Sequence, residues 1–205
     1  MNDQGLNVWV VDDDQSVRWV LEKALRQADM ESRSFERAEH LLEAIEHEAP
    51  DVLITDVRMP GMSGLELLEH LAERNLHIPA VIITGHGDVP MAVRAMKSGA
   101  VDFIEKPFND EALLDAIRRA IAFEEQQRSQ YSENRQIQER LAHLTPREHE
   151  VMDMVCDGRS NKEIANILGV SAKTIEAHRA RVMEKMQAGS LAELVRMSLA
   201  VNNGN

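Results

Sequence analysis

Four apolar runs in this chain end on residues that carry chemistry. Val8-Trp9-Val10-Val11 stops at Asp12-Asp13, Asp51-Val52-Leu53-Ile54-Thr55 stops at Asp56, Ala80-Val81-Ile82-Ile83 stops at Thr84, and Val101-Asp102-Phe103-Ile104 leads to Lys106-Pro107. If these runs are parallel strands of one open sheet, their carboxyl ends share an edge, and that edge is where such sheets bind ligands. Three carboxylates drawn to one point repel each other, so the cluster calls for a cation. A hard, oxygen-seeking ion such as Mg2+ suits carboxylates and water, and Lys106 adds a fixed positive charge for phosphate oxygens. Together the groups fit phosphoryl transfer onto a carboxylate. Asp56 is the nucleophile, the ion neutralises the phosphoryl oxygens, Lys106 holds another oxygen, and Thr84 offers a hydroxyl to the modified aspartate. A lone strand-end aspartate is an ordinary loop acid; a full set at separate strand ends is not.

The elements that must position these groups alternate along the first 120 or so residues. After the first run comes a helical stripe of Val17, Val20, Leu21, Ala24, Leu25 and Ala28. A weak strand at 32–35 precedes a helix with Ala38, Leu41, Leu42 and Ile45. Pro60 and Gly61 mark a turn, Ser63 caps a helix through Leu65, Leu67, Leu68 and Leu71, Val89–Lys97 is a fourth helix, and 109–121 begins a fifth. Five strands alternating with five helices predict an α/β domain over 1–122 with a five-stranded, doubly wound parallel sheet. Unbroken apolar runs suit strands buried on both faces.

Neither Pro nor Gly occurs from Asn109 to Thr145, and 124–140 is rich in Gln, Glu and Arg, all good helix formers. The segment 123–140 reads as a helical linker continuing the fifth helix as one rod, with a frayed, solvated connection as the alternative. Thr145-Pro146 is an N-cap followed by Pro at the first helical position. Four helices then read out, at Pro146–Cys156, Asn161–Leu168, Ala172–Met186 and 191–200, forming an all-α domain over 141–205. Ile164-Ala165-Asn166-Ile167-Leu168-Gly169-Val170-Ser171 reads as helix, glycine turn and cap, which is the helix-turn-helix layout. In the helix after that cap, Ile175, Val182 and Met186 make the buried stripe.

Composition narrows the classes further. Aromatic residues are only 3% of the chain, so its cores must be built from Leu, Ile, Val, Ala and Met. No apolar run approaches the roughly 20 residues of a membrane span, and the first residues are polar rather than signal-like. The one cysteine, Cys156, excludes an internal disulfide and reads as a buried, inert thiol, so a cytoplasmic location is expected. The formal net charge of −12 argues against nucleic-acid binding when taken whole, but it is unevenly spread. Residues 1–140 hold 15 Lys+Arg and 27 Asp+Glu, whereas 141–205 hold 8 of each. An acidic part and a neutral part imply two domains with different work.

These stretches resemble two-component response regulators. Val10-Val11-Asp12-Asp13-Asp14, Asp56-Val57-Arg58-Met59-Pro60-Gly61, Thr84-Gly85-His86-Gly87-Asp88-Val89-Pro90 and Phe103-Ile104-Glu105-Lys106-Pro107-Phe108 match the receiver pattern, nearest to its FixJ branch, over about 6–122. Leu144-Thr145-Pro146-Arg147-Glu148, 158–165, Val170-Ser171 and 174–179 resemble the LuxR/FixJ-type helix-turn-helix, over about 141–202.

The resemblance implies a flavodoxin-like receiver in which Asp56 accepts phosphate from a phosphohistidine on a cognate sensor histidine kinase. It implies Mg2+ held by Asp13, Asp56 and the Arg58 backbone carbonyl, with Asp12 acting through water. It also implies a cis Lys106-Pro107 bond and a switch pair of Thr84 and Phe103, the ring here lacking a tyrosine hydroxyl. Asp14 reads as a helix N-terminal charge. His86 reads equally as an influence on phosphate lifetime or as a plain loop histidine.

In the second module, Glu176 can accept from a cytosine amine, and Ala177 or Ala180 can touch a thymine methyl. Lys173, Thr174, Arg179, Arg181 and Lys162 are the expected phosphate contacts. The expected partners are promoter DNA, the sensor kinase, RNA polymerase and, once phosphorylated, a second copy pairing through 89–104; no membrane is involved. A neutral DNA-binding domain binds weakly alone, and pairing doubles its phosphate contacts. Two other classes compete. An aspartyl phosphatase of the haloacid type expects an acid two residues after the nucleophile, where Arg58 stands. A constitutive DNA-binding protein would use the first domain only as a scaffold.

Overall fold

Unbroken apolar runs become strands covered on both sides. The computed structural model describes residues 5–85 and 89–202. In it, β1 (Asn7–Val11), β2 (Glu31–Phe35), β3 (Val52–Asp56), β4 (Ala80–Thr84) and β5 (Ala100–Glu105) pair in parallel in the order β2-β1-β3-β4-β5. β3 and β4 are buried from end to end. α2 (Ala38–Ile45), α3 (Gly64–Glu73) and α4 (Val89–Lys97) pack with Trp9, Val11, Leu53 and Ile82 on one face of the sheet. α1 (Gln15–Gln27) and the first part of α5 (Asp110–Ala142) pack with Val8, Val10, Ile54, Val81 and Ile83 on the other. Strand order reverses between β1 and β3, which makes the carboxyl ends of these two strands the crevice of the fold.

The chain divides into two compact units, Met1–Gln127 and Arg128–Asn205. The second holds α6 (Pro146–Cys156), α7 (Asn161–Leu168), α8 (Ala172–Met186) and α9 (Leu191–Asn202), together with the end of α5. Its core gathers Ile137, Leu144, Val151, Met152, Val155, Ile164, Ile175, Val182, Met186 and Leu194. α5 is continuous from Asp110 to Ala142; Leu113, Ala116, Ile117 and Ala120 enter the sheet-side core, and Ile137 enters the helical core.

Helix starts follow local chemistry. Ser63, Thr145 and Ser160 each accept from the backbone N–H three residues on, while Glu66, Glu148 and Glu163 reach back to the cap, closing three capping boxes. Asp14 caps α1 by accepting from the Ser16 N–H at 2.8 Å. This hydrogen bond holds its carboxyl below the usual range. Cys156 departs from expectation: it is half-buried, because the last residue of α6 sits at the rim of the helical core. Burial still pushes its thiol up, which disfavours the thiolate. No described helix is long and apolar enough to cross a membrane.

Candidate functional site

Asp12 follows β1, Asp56 ends β3, and Lys106 follows β5; all three meet. The Lys106 Nζ donates to Asp12 Oδ2 at 2.7 Å and to Asp56 Oδ1 at 2.8 Å. Both carboxylates are buried, Asp12 to 2% and Asp56 to 7% exposure. Their other oxygens are also engaged: Asp12 Oδ1 accepts from the Asp14 N–H at 2.9 Å, and Asp56 Oδ2 from the Arg58 N–H at 2.6 Å. Burial pushes the Asp12 carboxyl up, and the pull of Lys106 does not fully offset it. Burial also works against the Lys106 ammonium, but its hydrogen bonds to Asp12 and Asp56 outweigh that and raise its pKa. The Lys106-Pro107 bond is cis.

The three expected acids do not converge equally. Asp13 is exposed, and successive residues leaving a strand face different ways. Among the described residues, no group of three or more Asp, Glu, His or Cys side chains is gathered as for a metal. What is gathered is a pair of carboxylates around an ammonium. The donor set still fits a hard cation. Two buried carboxylates, a third acid at the adjacent position and main-chain oxygen in the turn after Asp56 are all oxygen donors of the type that Mg2+ takes.

Sequence reading missed Arg18. Its Nη1 donates to the carbonyls of Asp12 at 2.7 Å and Asp13 at 3.1 Å, tying down the acidic turn from the first turns of α1. A cation one helical turn beyond the Asp14 cap was the available signal.

Thr84 is fully buried at the end of β4, and its carbonyl accepts from the Lys106 N–H at 2.8 Å. Phe103 pairs with Ile82 across the β4–β5 ladder. Thr84 lies two residues beyond Ile82, so alternation puts it on the same face as Phe103. The Phe103 ring is half-buried against the core that also holds Trp9, Ile82 and Ala95. His86 lies outside the described residues.

In the helical unit, the α7–α8 turn is set by Gly169, at φ +67°, and by Ser171, which caps α8. Ile175, Val182 and Met186 of α8 face inward, while Lys173, Thr174, Glu176, Ala177, Ala180 and Arg181 are exposed. Lys162 is exposed on α7. Arg179 is half-buried, and its Nη1 donates to Asn161 Oδ1 at 2.7 Å, so one edge of its guanidinium already braces α8 against α7.

A doubly wound sheet with a buried acid pair and a lysine at its switch point, followed by a helix-turn-helix unit, defines a receiver joined to a DNA-binding module. Residues 8–118 match the response regulator receiver domain, and residues 142–198 match the luxR family of bacterial regulatory proteins. The transcriptional regulatory protein FixJ of Rhizobium meliloti is 46% identical over 193 residues, spanning 94% of this chain and 95% of its own. The solved structure of the response regulator StyR superposes with a TM-score of 0.70 at 43% identity, covering 94% of this chain and 97% of that one. Full-length FixJ from B. japonicum superposes with a TM-score of 0.62 at 42% identity, covering 98% and 100%. The chain belongs to the two-component response regulators, as a FixJ-like DNA-binding transcription regulator with a LuxR-type helix-turn-helix.

Proposed function

We propose that the chain is a phosphorylation-switched transcription activator. Asp56 takes a phosphoryl group from a phosphohistidine of its sensor kinase, two copies then pair, and their helix-turn-helix units occupy two promoter half-sites and engage RNA polymerase. The observation that carries the reading is the meeting of buried Asp12 and Asp56 on the Lys106 ammonium at the strand ends. In the transfer, an Asp56 carboxylate oxygen attacks phosphorus. A P–O bond forms as the P–N bond to the imidazole breaks, and the imidazole leaves with the electron pair and takes up a proton. Lys106 shifts its hydrogen bond from Asp56 to a phosphoryl oxygen. Asp13, Asp56 and the Arg58 backbone carbonyl would hold Mg2+, with Asp12 acting through water; when bound, the ion supplies positive charge to the phosphoryl oxygens. The chain acts on its own phosphorylation and dephosphorylation and turns over no outside substrate.

Thr84 then moves toward the phosphoryl group, and the Phe103 ring turns inward, reshaping the 89–104 face. That face carries Val89, Val93 and Met96 exposed on α4, an apolar patch suited to a second copy. We divide the work as receiver 1–122, linker 123–140 and DNA-binding domain 141–205. In the last, Glu176, Ala177 and Ala180 face bases, and Lys173, Thr174, Arg181, Lys162 and the free edge of Arg179 face phosphates. Incubation with acetyl phosphate and Mg2+, read by intact mass, should add one phosphoryl group to the wild type and none to Asp56→Asn. Footprinting with and without the donor completes the test. Donor-dependent protection of DNA that survives Asp56→Asn sinks the reading, and a wild type that takes no phosphate favours a constitutive DNA-binding protein.

A further inference from the structure

Asp56 is gripped from behind as well as in front. Lys106 and the Arg58 N–H hold its carboxylate. On the other side, its main-chain carbonyl accepts from the Thr55 hydroxyl at 3.0 Å, and Thr55 is fully buried. Gly64, the first residue of α3, lies against the same carbonyl. A Cβ there would stand 2.1 Å from the Asp56 carbonyl oxygen, 3.0 Å from its carbonyl carbon and 2.7 Å from Thr55 Oγ1. Gly64 is not among the glycines at positive φ, so close approach, and not backbone conformation, excludes a side chain here.

Neither party can step back without disturbing other contacts. α3 is fixed by the Ser63–Glu66 capping box, by the Gly64 N–H donating to the Val57 carbonyl at 3.2 Å, and by buried Leu65, Leu67, Leu68 and Leu71. Asp56 is fixed by its pairing opposite Ile83 in the β3–β4 ladder.

We propose that Thr55 and Gly64 are positioning residues for phosphoryl transfer: together they seat the end of β3 so that the Asp56 carboxylate stands in register with Lys106 and Asp12. The proposal rests on Asp56 being the phosphoacceptor. A side chain at Gly64 pushes the strand end or the helix aside by about 1 Å, and misplacement of that size costs on the order of 100-fold in rate. Loss of the single Thr55 hydrogen bond costs less, about fivefold.

The test uses the full chain with Mg2+ and saturating acetyl phosphate. In that reaction a P–O bond to Asp56 forms as the bond to acetate breaks, and acetate leaves with the electron pair. Labelling rate is read by intact mass, the modified residue by peptide mapping, and folding by circular dichroism. Gly64→Ala is expected to lower the maximal rate about 100-fold, and Thr55→Val about fivefold with an unchanged half-saturating donor concentration. Thr55→Ser, which keeps the hydroxyl, should label within about twofold of wild type. If Gly64→Ala does not fold, the contrast between Thr55→Val and Thr55→Ser decides. Thr55→Val at the wild-type rate, or a folded Gly64→Ala at that rate, overturns the proposal. Wild type that maps its phosphate elsewhere, or takes none, instead overturns the assignment of Asp56.

Discussion

Glu148 illustrates what a buried charge requires in this fold. It is 3% exposed, accepts from Lys185 Nζ at 2.6 Å and from the Thr145 N–H at 2.9 Å, and its carboxyl is held down to about 2 from 4.5, first by the Lys185 hydrogen bond. A folded-state pKa below the unfolded value stabilises above the unfolded pKa and loses that stabilisation as pH falls. Hydrogen-exchange protection of 146–202 should therefore be steady above pH 4.5 and should fall between there and about pH 2. Glu148→Gln should cost about 2 kcal/mol at neutral pH and flatten this slope; protection equal to wild type would count against the ion pair. Lys106→Met should lower the receiver's stability by about 3 kcal/mol, since it leaves two buried carboxylates face to face. Added Mg2+ should recover part of that loss, as read by thermal melting. Lys106 was legible in the sequence because strand ends of a parallel sheet must share an edge. Thr55 and Gly64 were not, because the lack of room for a Cβ beside the Asp56 carbonyl is a product of packing that the spacing of residues does not reveal.

Element boundaries were the most legible feature, because the caps are local. Ser63 and Thr145 cap α3 and α6 as their residue types imply, and these two and Ser160 each close a box with the Glu three residues on. β2 was faint for a physical reason: it is an edge strand with only Phe35 buried, so it lacks the apolar run of its neighbours. What spacing could not show is how helices are tied to each other. Arg147 Nη2 donates to the Leu168 carbonyl at 2.8 Å, closing the C-terminal end of α7 at the helix-turn-helix turn, and Arg140 Nη1 donates to the Met186 carbonyl at the end of α8. Gly169 at that turn has open space around a would-be Cβ and a φ of +67°. It contrasts with Gly64, where the backbone is ordinary and space is absent. Gly169→Ala should therefore cost only the left-handed penalty, about 1 kcal/mol. Denaturant unfolding of the helical unit should show a lower midpoint with an unchanged slope; a loss several times larger would mean that the space beside Gly169 is filled.

At the scale of the whole molecule, charge sets the terms of DNA binding. The acidic part, 1–140, carries the entire net charge of −12, while 141–205 is neutral, so a single copy meets DNA with few cations to spare and an acidic receiver in tow. Each phosphate neutralised contributes about 0.9 to the slope of log affinity against log salt, so the slope counts the contacts. If two copies pair as proposed, a second α8 reaches the site and the count should roughly double. Three outcomes follow, all measurable by fluorescence anisotropy on a two-half-site duplex across salt concentrations. The slope should steepen about twofold when acetyl phosphate is supplied. Lys173→Ala and Arg181→Ala should each remove about 0.9 per copy bound, since both side chains are exposed on α8. Val93→Glu, which puts a charge in the middle of the exposed α4 patch, should leave phosphate labelling intact and hold the slope at its unphosphorylated value. A slope indifferent to the donor would separate phosphorylation from pairing, and a Val93→Glu protein that still steepens would move the pairing surface away from α4.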